Sequence, residues 1–168
     1  MNSDNLPVMR RVIASTVMFS SDGSILLGRK DPAGGGVYAD QWHLIGGGVE
    51  PGETLRGAAL RELNEEVIGL EVQEEDLEEL AWLKGRGETT KTLPNGNKVW
   101  CEMEFNYFRC LSSKAAEELS ESLKPGSDFV ELRFFSRDQL AELPSHPGGV
   151  EEKIIFGALT PTSGAPTE

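Results

Sequence analysis

The stretch GGGVEPGETLRGAALRELNEEVIGL, residues 46–70, decides the reading of the whole chain. Its glycine-rich start reads as a turn. The next run has the apolar spacing of a helix starting near Thr54 and ending at Val67 or Ile68. Thr54 suits an N-cap, and Gly69 suits the position just past the helix end. Ala58, Ala59, Leu60, Leu63 and Val67 supply the core side. Arg61, Glu62, Glu65 and Glu66 supply the other. Glu62, Glu65 and Glu66 stand at i, i+3 and i+4, so three carboxylates crowd one face. Like charges at that spacing cost roughly 0.2–0.5 kcal/mol per pair. A hard divalent cation with oxygen ligands would offset the repulsion and bridge the carboxylates to substrate phosphates.

Gly47, Glu53, Arg61, Glu62, Leu63, Glu65 and Glu66 occupy the fixed positions of a longer pattern. Their spacing resembles the signature box of the Nudix hydrolases, G-x5-E-x7-R-E-U-x-E-E-x-G-U, where U is a bulky aliphatic. The match runs from Gly47 through Glu66. The chain then departs from it, with Val67 and Ile68 before Gly69 and Leu70 where the family has one residue. An insertion there turns the downstream residues by about 100° of helical register. It leaves the three glutamates in place, and an extended or bulged last turn is expected.

The resemblance implies an α/β fold, an α/β/α sandwich with a mixed sheet in a single domain. It implies a Mg²⁺-dependent pyrophosphohydrolase, with Mn²⁺ as substitute ion, that cleaves the phosphoanhydride of a nucleoside diphosphate linked to another group. A nucleoside triphosphate or related nucleotide is the preferred substrate, ahead of nucleotide sugars and dinucleotide polyphosphates, ADP-ribose among them. Carried over by position, Glu62, Glu65 and Glu66 are metal-binding or base residues. Glu53 and Arg61 pair and brace the loop against the helix, and the Gly47 carbonyl is a further metal contact. Two alternatives belong to other classes. One is a Nudix-fold sensor without turnover. The other is an isoprenoid diphosphate isomerase, which requires a catalytic cysteine and extra metal-binding histidines.

The rest of the chain narrows the partners. Its 168 residues suit one domain with a sizeable core. A formal net charge of −12 disfavours binding to a nucleic-acid polymer, which needs Lys and Arg. It leaves room for a small phosphorylated nucleotide, because bound metal reverses the local field. No apolar run spans a bilayer, and residues 1–7 have no apolar signal region, so a cytoplasmic protein without membrane partners is expected. Oligomeric state is not encoded in any pattern here. Cys101 and Cys110 read as reduced thiols in one strand. His43 and His146 are the only histidines, far apart in sequence and without zinc-site company.

Outward from the box, residues 1–10 read as an N-terminal arm, 11–160 as the domain and 161–168 as a flexible tail. Residues 11–19 and 24–29 form a hairpin about the turn 20–23. Residues 31–40, with three glycines, form a loop. A short strand leads through Trp42 to the glycines, with Ile45 where many family members carry proline. Residues 71–79 are an acidic connection. Strands from Leu80 and over 99–111 flank the turn Pro94-Asn95-Gly96-Asn97. A short helix falls within 112–123, a loop over 124–128 and a strand over 129–135. Ser136 caps a helix over 137–143, and 150–159 is a terminal helix with Val150, Ile154, Ile155 and Ala158 inward. Candidate substrate contacts are Arg29 and Lys30 for phosphate, and Tyr38, Trp42 and Trp100 for base stacking. Glu102 and Glu104, on one side of the long strand, are candidates for a further metal ligand.

Overall fold

The computed structural model describes residues 5–34, 38–146 and 152–159. Its framework is one sheet built around β1 (Val8–Phe19), whose last seven residues are all buried. β1 turns through Ser20–Gly23 into β2 (Ile25–Lys30), with Gly23 at φ 85. The strand begins at Val8, three residues inside the segment expected as an arm, because Val8 to Phe19 pair continuously with the later strand β7 (Lys98–Leu111). That pairing is parallel. β6 (Glu78–Thr92) joins β7 antiparallel through the 94–97 turn, where Gly96 has φ 84. The sheet is therefore mixed, in the order β3-β2-β1-β7-β6, where β3 is Trp42–His43. β4 (Ile45–Gly48) pairs with β1, and β9 (Phe129–Phe135) pairs with β2.

Gly46 to Gly48, expected as a turn, are strand. Ser15 faces Gly46, Ala14 faces Gly47 and Ile13 faces Gly48 in the antiparallel ladder. The glycines serve close approach rather than turning: a Cβ on Gly46 would lie 2.4 Å from the Ala14 carbonyl oxygen. Ile45, opposite Thr16, is buried in the same ladder.

α1 (Leu55–Glu66) starts where expected, with the Thr54 hydroxyl accepting the Gly57 N–H at 2.9 Å. It ends at Glu66, without the extended last turn. Val67 and Ile68 instead form β5 (Val67–Ile68), paired with β8 (Lys124–Pro125). The residue beyond the family spacing thus feeds a two-strand ribbon, and Gly69 leaves it at φ 96. The loop after β8 caps the helix. Gly126 N–H donates to the Glu66 carbonyl at 2.9 Å, and Ser127 N–H to that of Glu65 at 3.1 Å.

Two apolar layers cover the sheet. Ala58, Ala59 and Leu63 of α1 and Leu119 of α2 (Ala116–Ser122) pack on one face with Met18, Leu26 and Phe108. On the other face, Leu140 of α3 (Arg137–Ala141) and Ile155 and Ala158 of α4 (Glu152–Leu159) pack on Val17, Leu27, Phe105 and Tyr107. This is the helix–sheet–helix sandwich. The side chain of Ile154, and Val150 as a whole, lie outside the described residues, as does the tail expected over 161–168. Cys101 and Cys110 are free and buried on opposite faces of β7. Among the described residues no helix is long and apolar enough to cross a membrane.

Candidate active site

The site is assembled where α1 meets β4. Arg61 is its organiser. Its Nε and Nη2 donate to the two Glu53 oxygens at 2.9 and 2.8 Å, a bidentate pair. Nη2 also donates to the Gly48 carbonyl at 2.9 Å, tying helix to strand. Nη1 donates to Glu62 at 2.9 Å and more loosely to Glu65 at 3.4 Å. Glu53 also accepts the Glu50 N–H at 2.8 Å, which closes the intervening loop. The Arg61 and Glu50 donors bring the Glu53 carboxyl down to about 2.

The three box glutamates do not share one exposed face. Glu65 is exposed and Glu62 is mostly covered. Glu66 is 2% exposed and points at β4, where its carboxylate accepts the Gly46 N–H at 3.0 Å. Helical spacing alone puts Glu66 on the solvent side. The glycine strand lies close enough to bury it. Burial pushes the Glu66 carboxyl up to about 9, and the neighbouring Glu62 charge adds to this against the pull of the Gly46 N–H and Lys30. Burial also raises Glu62, opposed by Arg61.

These residues fit a divalent cation. A Cβ on Gly47 would sit 2.5 Å from the Glu62 carboxylate, so the glycine leaves a recess that this carboxylate occupies. Glu66, its carboxyl raised by burial and by the neighbouring Glu62 charge, is an oxygen donor whose charge a divalent cation would offset, whereas Glu62 is already paired with Arg61. Among the described residues no three acidic, His or Cys side chains converge on one point as they stand.

The glutamates open onto a cleft of about 320 Å³. Glu62, Glu66 and residues 46–48 form one wall. Arg11 of β1, Lys30 of β2, Lys91 of β6 and Asp128 of the loop before β9 stand around it, over a floor that includes Ile13, Met103 and Phe105. Asp128 is held at φ 66, an uncommon conformation for a residue with a side chain, and its carbonyl accepts the Asp31 N–H at 3.0 Å. Burial lowers the Lys30 pKa, while Glu66 and Asp128 draw it back up.

The structure separates the remaining candidates. Tyr38 lines the cleft and stacks on His146, with ring centroids 4.5 Å apart. Arg29 turns away to Asp40 at 2.7 Å and Glu131 at 3.4 Å, leaving Lys30 as the member of that pair on the cleft. Trp42 packs edge-on against Phe135 under the Arg133 guanidinium. Glu102 pairs with Arg10 at 3.1 Å, and Glu104 is exposed. Both border a neighbouring groove with Arg86, which shares Arg11 and Met103 with the cleft. The histidines, expected to be isolated, lie side by side with centroids 4.4 Å apart, each against the Tyr38 ring. Each bonds a backbone carbonyl, His43 that of Tyr38 and His146 that of Trp42. Burial, with the Lys30 charge, lowers His43 to about 3, so it is neutral.

Sequence pattern does not single out Arg11, Lys91 or Asp128. The Arg10-Arg11 doublet at a strand start is the available signal for the first. The other two reach the site only through long-range strand pairing.

The NUDIX domain profile matches residues 9–154. Among curated proteins, the chain is similar to nucleoside triphosphatase NudI of Escherichia coli O1:K1 / APEC, 34% identical over 116 residues, covering 69% of this chain and 79% of that one. Among solved structures it is similar to the MutT protein from Methanosarcina mazei Go1 (TM-score 0.61, 17% identity, 90% of this chain and 93% of that one). It is also similar to the NUDIX domain of Shewanella oneidensis NrtR complexed with ADP ribose (TM-score 0.62, 15% identity, 89% and 86%). At these identities the two structures show the shared fold.

Proposed function

Because this chain belongs to the Nudix hydrolase family, we propose that it is a Mg²⁺-dependent pyrophosphohydrolase acting on a nucleoside triphosphate, yielding two phosphorylated products. The observation that carries the reading is the intact set Glu53, Arg61, Glu62, Glu65 and Glu66, folded against a glycine strand beside a cation-lined cleft. The nucleoside triphosphatase activity of the NudI relative supports the triphosphate.

Glu66 and Glu65, with the Gly47 carbonyl, are the residues that would hold Mg²⁺ or Mn²⁺. When bound, the ion polarises a phosphoryl oxygen and neutralises developing charge. Glu62 is the general base. It stands in the Gly47 recess, its basicity is raised by burial, and Arg61 fixes its orientation from 2.9 Å. It takes a proton from the water that attacks phosphorus as the bridging P–O bond breaks. Glu53 has no role at the reacting atoms. It keeps Arg61 in place between helix and strand. Lys30, with its charge in the cleft beside Glu66, draws the phosphate chain in.

A panel of nucleoside triphosphates, ADP-ribose and dinucleotide polyphosphates, incubated with Mg²⁺ and read by product separation, tests the reading. Mg²⁺-dependent cleavage of a triphosphate is the expected result. Tight binding of a panel member with no turnover would make the protein a sensor instead.

A further inference from the structure

Arg11 and Lys91 come from strands far apart in sequence, yet both line the cleft that Glu62 and Glu66 open onto. Both are half-buried, and among the described residues neither has an ion pair or side-chain hydrogen bond. Other cations near the fold's acidic groups are tied down: Arg10 by Glu102, Arg29 by Asp40 and Glu131, Arg133 by Glu131. In a chain of net charge −12, leaving two half-buried cations unpaired beside a third, Lys30, is costly unless an anion joins them.

Their placement is built into the backbone. A Cβ on Gly48 would lie 2.6 Å from Arg11 Nη2, so this glycine admits the guanidinium against β4. One residue earlier, Gly47 admits the Glu62 carboxylate. Two successive glycines thus set an acidic group and a basic group side by side along the cleft wall. The charges of Arg11 and Lys91 both reach Lys30.

We propose that Arg11 and Lys91 are specificity residues that grip the phosphate of the substrate lying beyond the metal-bound pair, selecting a triphosphate over a diphosphate. The inference rests on the pyrophosphohydrolase reading and deepens it. An Arg fork binds phosphate bidentately, and a Lys adds a point charge. A diphosphate leaves that pair unanswered, whereas the extra phosphate of a triphosphate fills it.

The test is calorimetric binding, in Mg²⁺, of nucleoside triphosphate and diphosphate analogues with a methylene bridge between the α and β phosphorus atoms. Wild type is compared with Arg11→Gln, Lys91→Gln and the double variant. Arg11→Lys serves as the charge-keeping control and Arg10→Gln as the neighbouring surface control. The double variant is expected to weaken triphosphate binding by roughly tenfold or more, with diphosphate binding changed less than about twofold. Arg11→Lys should recover part of the loss, and Arg10→Gln should match wild type. In turnover, the same variants should raise KM for the triphosphate while kcat stays within about twofold. Equal weakening of both analogues, or of neither, overturns the inference. A wild type that hydrolyses the triphosphate while the variants bind it normally refutes this inference alone. A wild type that shows the binding selectivity without hydrolysis refutes the enzymatic reading and leaves the two residues' role standing.

Discussion

The Glu66 carboxylate, buried under the glycine strand, accepts the Gly46 N–H at 3.0 Å. This contact joins the end of α1 to β4 and sets the chemistry of the site. It requires glycine in the strand, because a side chain at Gly46 would meet the Ala14 carbonyl and the Ser15 side chain and Cα.

Gly46→Ala should therefore destabilise the fold by about 1–3 kcal/mol, the usual cost of overpacking. Gly47→Ala presses instead on the tip of the Glu62 side chain, which is able to swing aside. It should keep the fold and lose activity. Urea denaturation beside a rate assay separates the two, and a stable, fully active Gly47→Ala would contradict the recess described for Glu62.

The pH response is set by Glu66. Its carboxyl is raised from 4.5 to about 9, so the folded chain holds a proton that the unfolded chain releases. In the metal-free protein, this contribution to stability is fully present below 4.5 and lost as pH rises through about 9. The cation binding proposed for Glu66 needs the deprotonated form, so Mg²⁺ affinity should climb over the same window, with proton release on binding. Calorimetry in buffers of different ionisation enthalpy measures that release. A pH-independent affinity with no proton released would refute it.

Glu66→Gln and Glu62→Gln should fail differently. With Glu66 in its proposed role as a cation ligand, the first variant should lose Mg²⁺ affinity along with rate. With Glu62 in its proposed role as the base, the second should lower kcat by roughly 10²–10⁴-fold with cation affinity largely kept. Equilibrium Mn²⁺ binding compared with kcat for both variants checks the split, and identical profiles would contradict the separate roles.

Much of this site is legible in the sequence because it is local. Glu53 to Glu66 lie in one loop and one helix, and the resemblance to the family box implies the pairing of Arg61 with Glu53 that the structure contains. The burial of Glu66 is not legible, since it depends on β4 pairing with β1 through residues without side chains. Nor is the convergence of Arg11, Lys91 and Asp128. They meet through the parallel β1–β7 pairing, the β6 hairpin and the capping of α1 by Gly126 and Ser127. The residue beyond the family spacing reads as more helix. It pairs Ile68 with Lys124 instead, a contact no helical period signals.

That capping makes a further variant informative. A Cβ on Gly126 would lie 1.9 Å from the Glu65 carbonyl oxygen, so Gly126→Ala must displace the loop from the helix end. Thermal melting should show a loss of stability of about 1–3 kcal/mol. The rate should fall as well, because the loop holds the end of α1 that carries Glu65 and Glu66. An unchanged melting temperature would mean that the loop does not hold α1.

The central claim is that the glutamates on α1 hydrolyse a nucleotide with a divalent cation. The most direct measurement is product release from the nucleoside triphosphate panel, with and without Mg²⁺, for wild type and Glu66→Gln. Pyrophosphate and nucleoside monophosphate should form with wild type and Mg²⁺, and fall by orders of magnitude in the variant or in chelator. Equal turnover by Glu66→Gln, or turnover indifferent to Mg²⁺, would contradict the account.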